Sequence, residues 1–333
     1  MFLDTFMDDA SEGIMENPVP ELEDLQLECA VSLEAAYSDL MLEGCQLKYQ
    51  EIAEGLSVSA INEGVIEAIK NFFKKLFNAI KKFFGISSSD SSSGGGSISH
   101  NTAILKKQLE DKRVAEGLKY LGSHLELLNG EEFKFPDDNG LIEISDQEIN
   151  NGLKAAMDYA QFAIKTGSKR CKTNNADGEK STNTLDSDKI ALDALNDFIK
   201  VVFKRHSTIT SAKINSLSDF KNTLDGYTKM LAPNQPCTDV NQNNYRKMLD
   251  DMDECYQNMQ KYKKVVIRLM ERFQKKVINE MPQEYSAIGC KVAKTLANAV
   301  MIFYSYELRI TKRICEVFRR VIELAMKVST KTN

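Results

Sequence analysis

Two runs of heptad spacing near the C-terminus constrain the fold more than any other feature of this chain. Tyr245, Met248, Met252, Cys255, Met259, Tyr262, Val266, Leu269 and Phe273 alternate steps of three and four, the seam of a helix that packs lengthwise on another. Met281-Pro282 interrupts the pattern, because proline cannot continue a helix. The alternation resumes at Tyr285 and runs through Ile288, Val292, Leu296, Ala299, Phe303, Tyr306, Ile310, Ile314, Val317, Val321, Leu324 and Val328. Two helices of about 40 residues would reach ~60 Å at the α-helical rise, so the spacing predicts an antiparallel helical hairpin over 241–328. Charges on its second helix are mostly basic: Lys291, Lys294, Arg309, Lys312, Arg313, Arg319, Arg320, Lys327 and Lys331. They read as a solvated face or, if clustered, a nucleic-acid surface.

The rest of the chain also favours helix. It has no Trp and six Pro, and its abundant Lys, Glu, Leu and Ala are better helix than strand formers. The expected class is mainly α, a helical bundle with at most one short β-hairpin. That hairpin is expected near 133–144, where Phe133-Lys-Phe135 and Leu141-Ile-Glu-Ile144 alternate around Pro136-Asp-Asp-Asn-Gly140. It falls within a helical domain over 101–232. There, Ile104, Leu105, Leu109, Leu118, Leu121, Leu125 and Leu128 trace one helix closing near Asn129-Gly130. Ser145 and Glu148 form a capping box opening another, to about Thr166. Further helices are expected near 186–206 and 211–231.

Residues 64–85 carry the strongest amphipathic pattern. Val65, Ile69, Phe72, Phe73, Leu76, Phe77, Ile80, Phe83 and Phe84 fall on one side of a helix, and Lys70, Lys74, Lys75, Lys81 and Lys82 on its edges and back. A Phe-rich face flanked by Lys suits a helix lying in a lipid headgroup layer; the same face also suits a protein core or a partner. A Ser/Gly tract follows, giving a linker over 86–100 with few side chains able to anchor a core.

Charge divides the chain at this helix. Residues 1–67 hold sixteen acidic groups and one base, Lys48, although the whole chain carries only −5. The remainder is therefore net basic, and an acidic leader over 1–63 faces a basic body. Leu22, Leu25, Cys29, Leu33, Ala36 and Leu40 in that leader recur at helical spacing. The N-terminus is acidic where a secretory signal needs a basic region. The longest apolar run, AVMIFY at 299–304, is far short of the ~20 residues of a spanning helix.

Catalysis, metal and cofactor chemistry find no pattern. The seven cysteines are scattered without a C-x-x-C pair, and the three histidines, His100, His124 and His206, are far apart. Asp250, Asp251, Asp253 and Glu254 occupy successive positions that point around a helix instead of converging. The expectation is a non-enzymatic protein with no cofactor.

Three short stretches of the leader, Ala10-Ser-Glu12-Gly13, Ile52-Ala-Glu54-Gly55 and Ile61-Asn-Glu63-Gly64, share a small or aliphatic residue, any residue, Glu, then a small residue. This pattern resembles the prohead-protease signals in the acidic propeptides of internal head proteins of large tailed bacteriophages. The resemblance implies a structural, capsid-associated virion protein made in the host cytoplasm. Its partners would be other virion proteins, DNA or an anionic membrane surface, with self-association through the helical hairpin. Cleavage after Glu63 would start the mature chain at the Lys/Phe helix. The alternatives are an autoinhibited membrane-active effector or toxin, and a cytoplasmic helical scaffold.

Overall fold

Met281 and Pro282 turn the chain between its two longest helices. The computed structural model of the protein describes residues 20–54, 58–88, 98–135, 141–174, 185–227 and 240–330. In chain order the helices are α1 Pro20–Glu54, α2 Val58–Ser88, α3 Ile98–Leu109, α4 Lys112–Ser123, α5 Asp146–Asn174, α6 Ser187–Val202, the single turn α7 Ser207–Thr210, α8 Leu217–Tyr227, α9 Gln242–Glu280 and α10 Ser286–Ser329. Met281 is extended, at φ −92° and ψ 142°, as the residue before a proline prefers. The expected hairpin is present and antiparallel. Tyr245 of α9 meets Phe318 of α10 with ring centroids 5.1 Å apart, and Tyr262 meets Phe303 at 6.2 Å. Gly289 lies against Val277 near the turn.

α10 is the hub of the bundle. Every residue from Leu296 to Leu308 is buried, and α10 packs against α1, α2, α3, α4, α5, α6, α8 and α9. A helix apolar all round belongs inside a protein or a membrane. Among the described residues α10, with the turn before it, is the one segment long and apolar enough to cross a membrane, but 83% of that apolar window is buried within the bundle. The longest unbroken apolar run had understated this helix, because Asn298, Ser305 and Glu307 interrupt the run without leaving the interior.

Several local expectations change. The helix traced from Ile104 to Leu128 breaks at Asp111, whose carboxylate accepts from the Arg113 N–H at 2.8 Å and caps α4. α4 stops at Ser123, and a 3₁₀ turn, Leu125–Leu128, follows. The capping box holds as read: Ser145 donates its N–H to Glu148 Oε2 at 3.0 Å and Glu148 returns its N–H to Ser145 Oγ at 3.2 Å. α5 then continues past Thr166 to Asn174. The helix expected near 211–231 begins only at Leu217 and is described to Tyr227, residues 228–231 lying outside the described residues.

The arms expected to form a β-hairpin near 133–144 are not strands. Glu131–Phe133 is a 3₁₀ turn, residues 141–145 are irregular, and the intervening turn, 136–140, lies outside the described residues. Backbone groups on this segment bond to helix side chains instead of to each other. Ile142 donates its N–H to Glu307, and Ile144 accepts from the Tyr262 hydroxyl at 2.6 Å. The alternation of Phe135, Ile142 and Ile144 thus serves to anchor a strap on α9 and α10, with all three side chains buried.

Candidate functional site

The Lys/Phe helix α2 meets protein on the face that could have met lipid. Ile69, Phe72, Phe73, Leu76, Ile80, Phe83 and Phe84 are buried, while Val65 and Phe77 are half-buried. α1 runs antiparallel beside it. Tyr37 stands edge-on to Phe72 with centroids 6.4 Å apart, and the Cys29 thiol reaches the Ala79 carbonyl at 3.6 Å. Phe83 and Phe84 pack edge-on against Tyr304 of the hub at 5.7 and 4.9 Å. The basic flank is divided. Lys75 pairs with Asp39 at 2.7 Å, Lys82 with Glu28 at 2.5 Å and Lys70 with Glu67 at 3.8 Å, whereas Lys74 and Lys81 stand exposed. Exposed pairs of this kind contribute about 0–1 kcal/mol each, so the buried Phe side chains hold α2 in place. The helix is docked on the body and does not hang from the Ser/Gly tract, of which residues 89–97 lie outside the described residues.

The candidate cleavage sites fall in three settings. Glu12 and Gly13 lie outside the described residues. Glu54 ends α1, and Gly55 lies outside the described residues. Glu63 is exposed, but Glu63-Gly64 sits inside α2. A Cβ on Gly64 would come within 2.8 Å of Leu47 Cδ2, so α1 and α2 approach closely at that bond.

The basic residues of α10 are mostly taken up in ion pairs. Lys291 pairs with Asp188 at 2.5 Å, Lys294 with Glu34, and Arg309 with Asp225. Arg313 and Arg320 both reach Glu316, at 3.3 and 2.8 Å, and Arg319 reaches Glu323 at 2.8 Å. Lys294 also lies 4.7 Å from the centroid of the Tyr37 ring. Lys291, Lys294 and Arg309 thus fasten α6, α1 and α8 to the hub, while Arg313, Arg319 and Arg320 pair within α10 itself.

Outward positive charge lies instead on α9. Lys261, Lys264, Arg268, Arg272 and Lys275 are exposed, and their steps of three, four, four and three keep them on one face. The stripe is about 21 Å long at the α-helical rise. Glu271 is the one acidic residue between 261 and 276. Lys261 hydrogen-bonds Asn258 at 3.1 Å and Arg268 hydrogen-bonds Asn150 of α5 at 3.2 Å, contacts that orient the side chains without neutralising them. Lys154 is exposed one turn beyond Asn150 on the α5 edge that faces α9. At the other end of α9, Asp250 pairs with Lys106 at 2.6 Å and Asp253 accepts from Ser99 at 2.8 Å, while Glu254 is exposed. The stripe was readable in KYKKVVIRLMERFQKK. Following the apolar seam passed over it, because the cations occupy the positions between seam residues.

Among the described residues no three His, Cys, Asp or Glu side chains are placed to hold a metal ion. Burial pushes the thiols of Cys255, Cys290 and Cys315 up from their ordinary range, which suits core packing over nucleophilic chemistry. No family model, curated protein or solved structure matches the chain.

Proposed function

We propose that this chain is a non-enzymatic structural protein that contacts nucleic acid through the outward basic stripe of α9. The five exposed cations from Lys261 to Lys275 carry this reading. A nucleic-acid strand presents one charge per ~3.4 Å, so a face of this length meets about six phosphates. Overall acidity does not oppose it, since local potential and not net charge governs contact at the Debye length of ~8 Å. The Glu-Gly sites of the leader support a virion setting, inside the head of a large tailed phage. A membrane-active role would first require α1 and α2 to leave the bundle, because the Phe face is covered.

Fluorescence anisotropy with a labelled DNA duplex, titrated at several salt concentrations, tests the proposal. Five neutralised phosphates give a slope of log K against log salt near −4.5. Replacing Lys264, Arg268 and Arg272 by Gln should lower the magnitude of that slope by about 2.7. An unchanged slope, or no binding at low salt, overturns the α9 site. Intact chains beginning at Met1 in mature particles would overturn the processed virion protein.

A further inference from the structure

α1 is apolar on two opposite faces. Its inner stripe, Leu25, Cys29, Leu33, Ala36 and Leu40, is buried in the bundle. On the other side Leu27, Val31, Met41 and Leu42 are 64%, 60%, 45% and 59% exposed. At 100° per residue these four span roughly 100°, centred nearly opposite the inner stripe. Ala35, Ser38 and Cys45 are exposed on the same side, so small side chains separate the larger ones and leave room for close approach. Scattered exposed apolar residues are ordinary on a protein surface, but a stripe along one helix is the shape of a helix-docking site.

Charge selects the occupant. Residues 20–54 hold nine acidic groups and one base, Lys48. Glu28 and Asp39 pair with α2 and Glu34 with α10, while Asp24 is exposed and shares the azimuth of Leu42 at the edge of the outer stripe. Pairing this face with its copy on a second chain would bring two strongly acidic helices together. The inner face already shows which chemistry fits: it receives α2, an apolar helix whose Lys75 and Lys82 reach across to α1 carboxylates. We infer that the outer face of α1 docks a cationic amphipathic helix of another protein, its apolar side on Leu27, Val31, Met41 and Leu42 and its Lys or Arg residues toward Asp24 and the net negative charge of α1. The face repels an anionic membrane, and it is separate from the α9 stripe.

The test uses the full chain and a fluorescein-labelled 21-residue Leu/Lys peptide with an amphipathic helical repeat, alongside a scrambled peptide of the same composition and a Leu/Glu counterpart. Leu27→Gln with Leu42→Gln leaves charge unchanged and alters exposed positions. The Leu/Lys peptide should bind the natural chain, and at least tenfold more weakly the double variant. The scrambled and Leu/Glu peptides should bind at least tenfold more weakly than the Leu/Lys peptide. A photo-crosslinking form of the peptide should label residues 27–42 of the natural chain, a readout independent of the variant's folding. The Lys264, Arg268 and Arg272 variant should bind the peptide as the natural chain does, which separates this site from the nucleic-acid reading. Failure of the Leu/Lys peptide to bind, equal binding by the scrambled peptide or the double variant, or crosslinks elsewhere would overturn the inference. So would a dimer of the natural chain that the double variant dissolves, or peptide binding seen only after removal of residues 1–19, since each assigns the face to this chain itself.

Discussion

Ile142 donates its backbone N–H to Oε1 of Glu307 at 3.2 Å, deep inside the bundle and across 165 residues of sequence. The carboxyl is fully buried in the hub helix, and its second oxygen lies 3.5 Å from the Cys255 thiol. Cys255 and Tyr262 of α9 and Glu143 of the strap are the titratable groups around it, and none is a cation. Desolvation therefore raises the Glu307 pKa from its ordinary 4.5 to about 8, against the opposing hydrogen bonds from Ile142 and Cys255.

Stability should accordingly fall as pH rises through this window. The folded chain holds the Glu307 proton more tightly than the unfolded chain, so the group's contribution is fully present below pH 4.5 and is lost as pH climbs through about 8. Glu307→Gln keeps an acceptor for Ile142 and has no charge to bury. Urea melts at pH 6 and pH 9 should show a smaller loss of stability for the Gln variant than for the natural chain. An equal loss in both would mean that Glu307 is not the titrating group.

The strap that Glu307 holds also shows where sequence reading reached its limit. Alternation on the two arms predicted a β-hairpin, whereas in the structure Phe135, Ile142 and Ile144 are buried and Phe133 and Leu141 half-buried without a strand being formed. Alternation alone does not say where backbone hydrogen bonds go, and here they go to Glu307 and Tyr262, which heptad reading had treated as seam or silence. The α9–α10 hairpin was legible because Pro282 and two long seams leave few alternatives. The hub role of α10 was not, because a seam shows one buried face while seven helices besides α9 cover the rest. For the candidate site, the apolar arc of α2 was legible, but its occupant depended on the distant Tyr304 and on α1.

Gly117 of α4 should tolerate no larger residue. A Cβ there would lie 2.0 Å from the carbonyl oxygen of Ala325, a backbone atom that cannot swing aside as a side chain can. Gly117→Ala should destabilise the fold by about 1–3 kcal/mol, the usual range for overpacking, despite alanine's better helix propensity. A denaturation midpoint at or above that of the natural chain would contradict the close α4–α10 approach.

Phe83 distinguishes a docked Lys/Phe helix from a tethered one. Its ring is fully buried, edge-on to Tyr304, so Phe83→Ala should cost about 3–5 kcal/mol as a core truncation. Loss should appear in one cooperative transition that includes α10. A melt unchanged by the substitution would place α2 outside the cooperative core and restore a free amphipathic helix.

Glu63 offers the last and most discriminating experiment. Its bond to Gly64 lies within α2, and proteases need an extended segment, so cutting requires local opening of the helix. Leu47 packs on Gly64 from α1, and that opening must also loosen the α1–α2 contact. A Glu-specific endoprotease should therefore cut after Glu63 slowly in the folded chain and faster as sub-denaturing urea is added. Cutting should not by itself release the leader, because Leu25, Cys29, Leu33, Ala36 and Leu40 remain buried in the bundle. Size-exclusion chromatography of the cut protein should show the two fragments eluting together, and separating only in denaturant. Rapid cutting with immediate loss of residues 1–63 would instead describe a loosely held leader, and would leave the charge of about +9 on the remaining chain, given −5 for the whole, free to act as soon as the bond breaks.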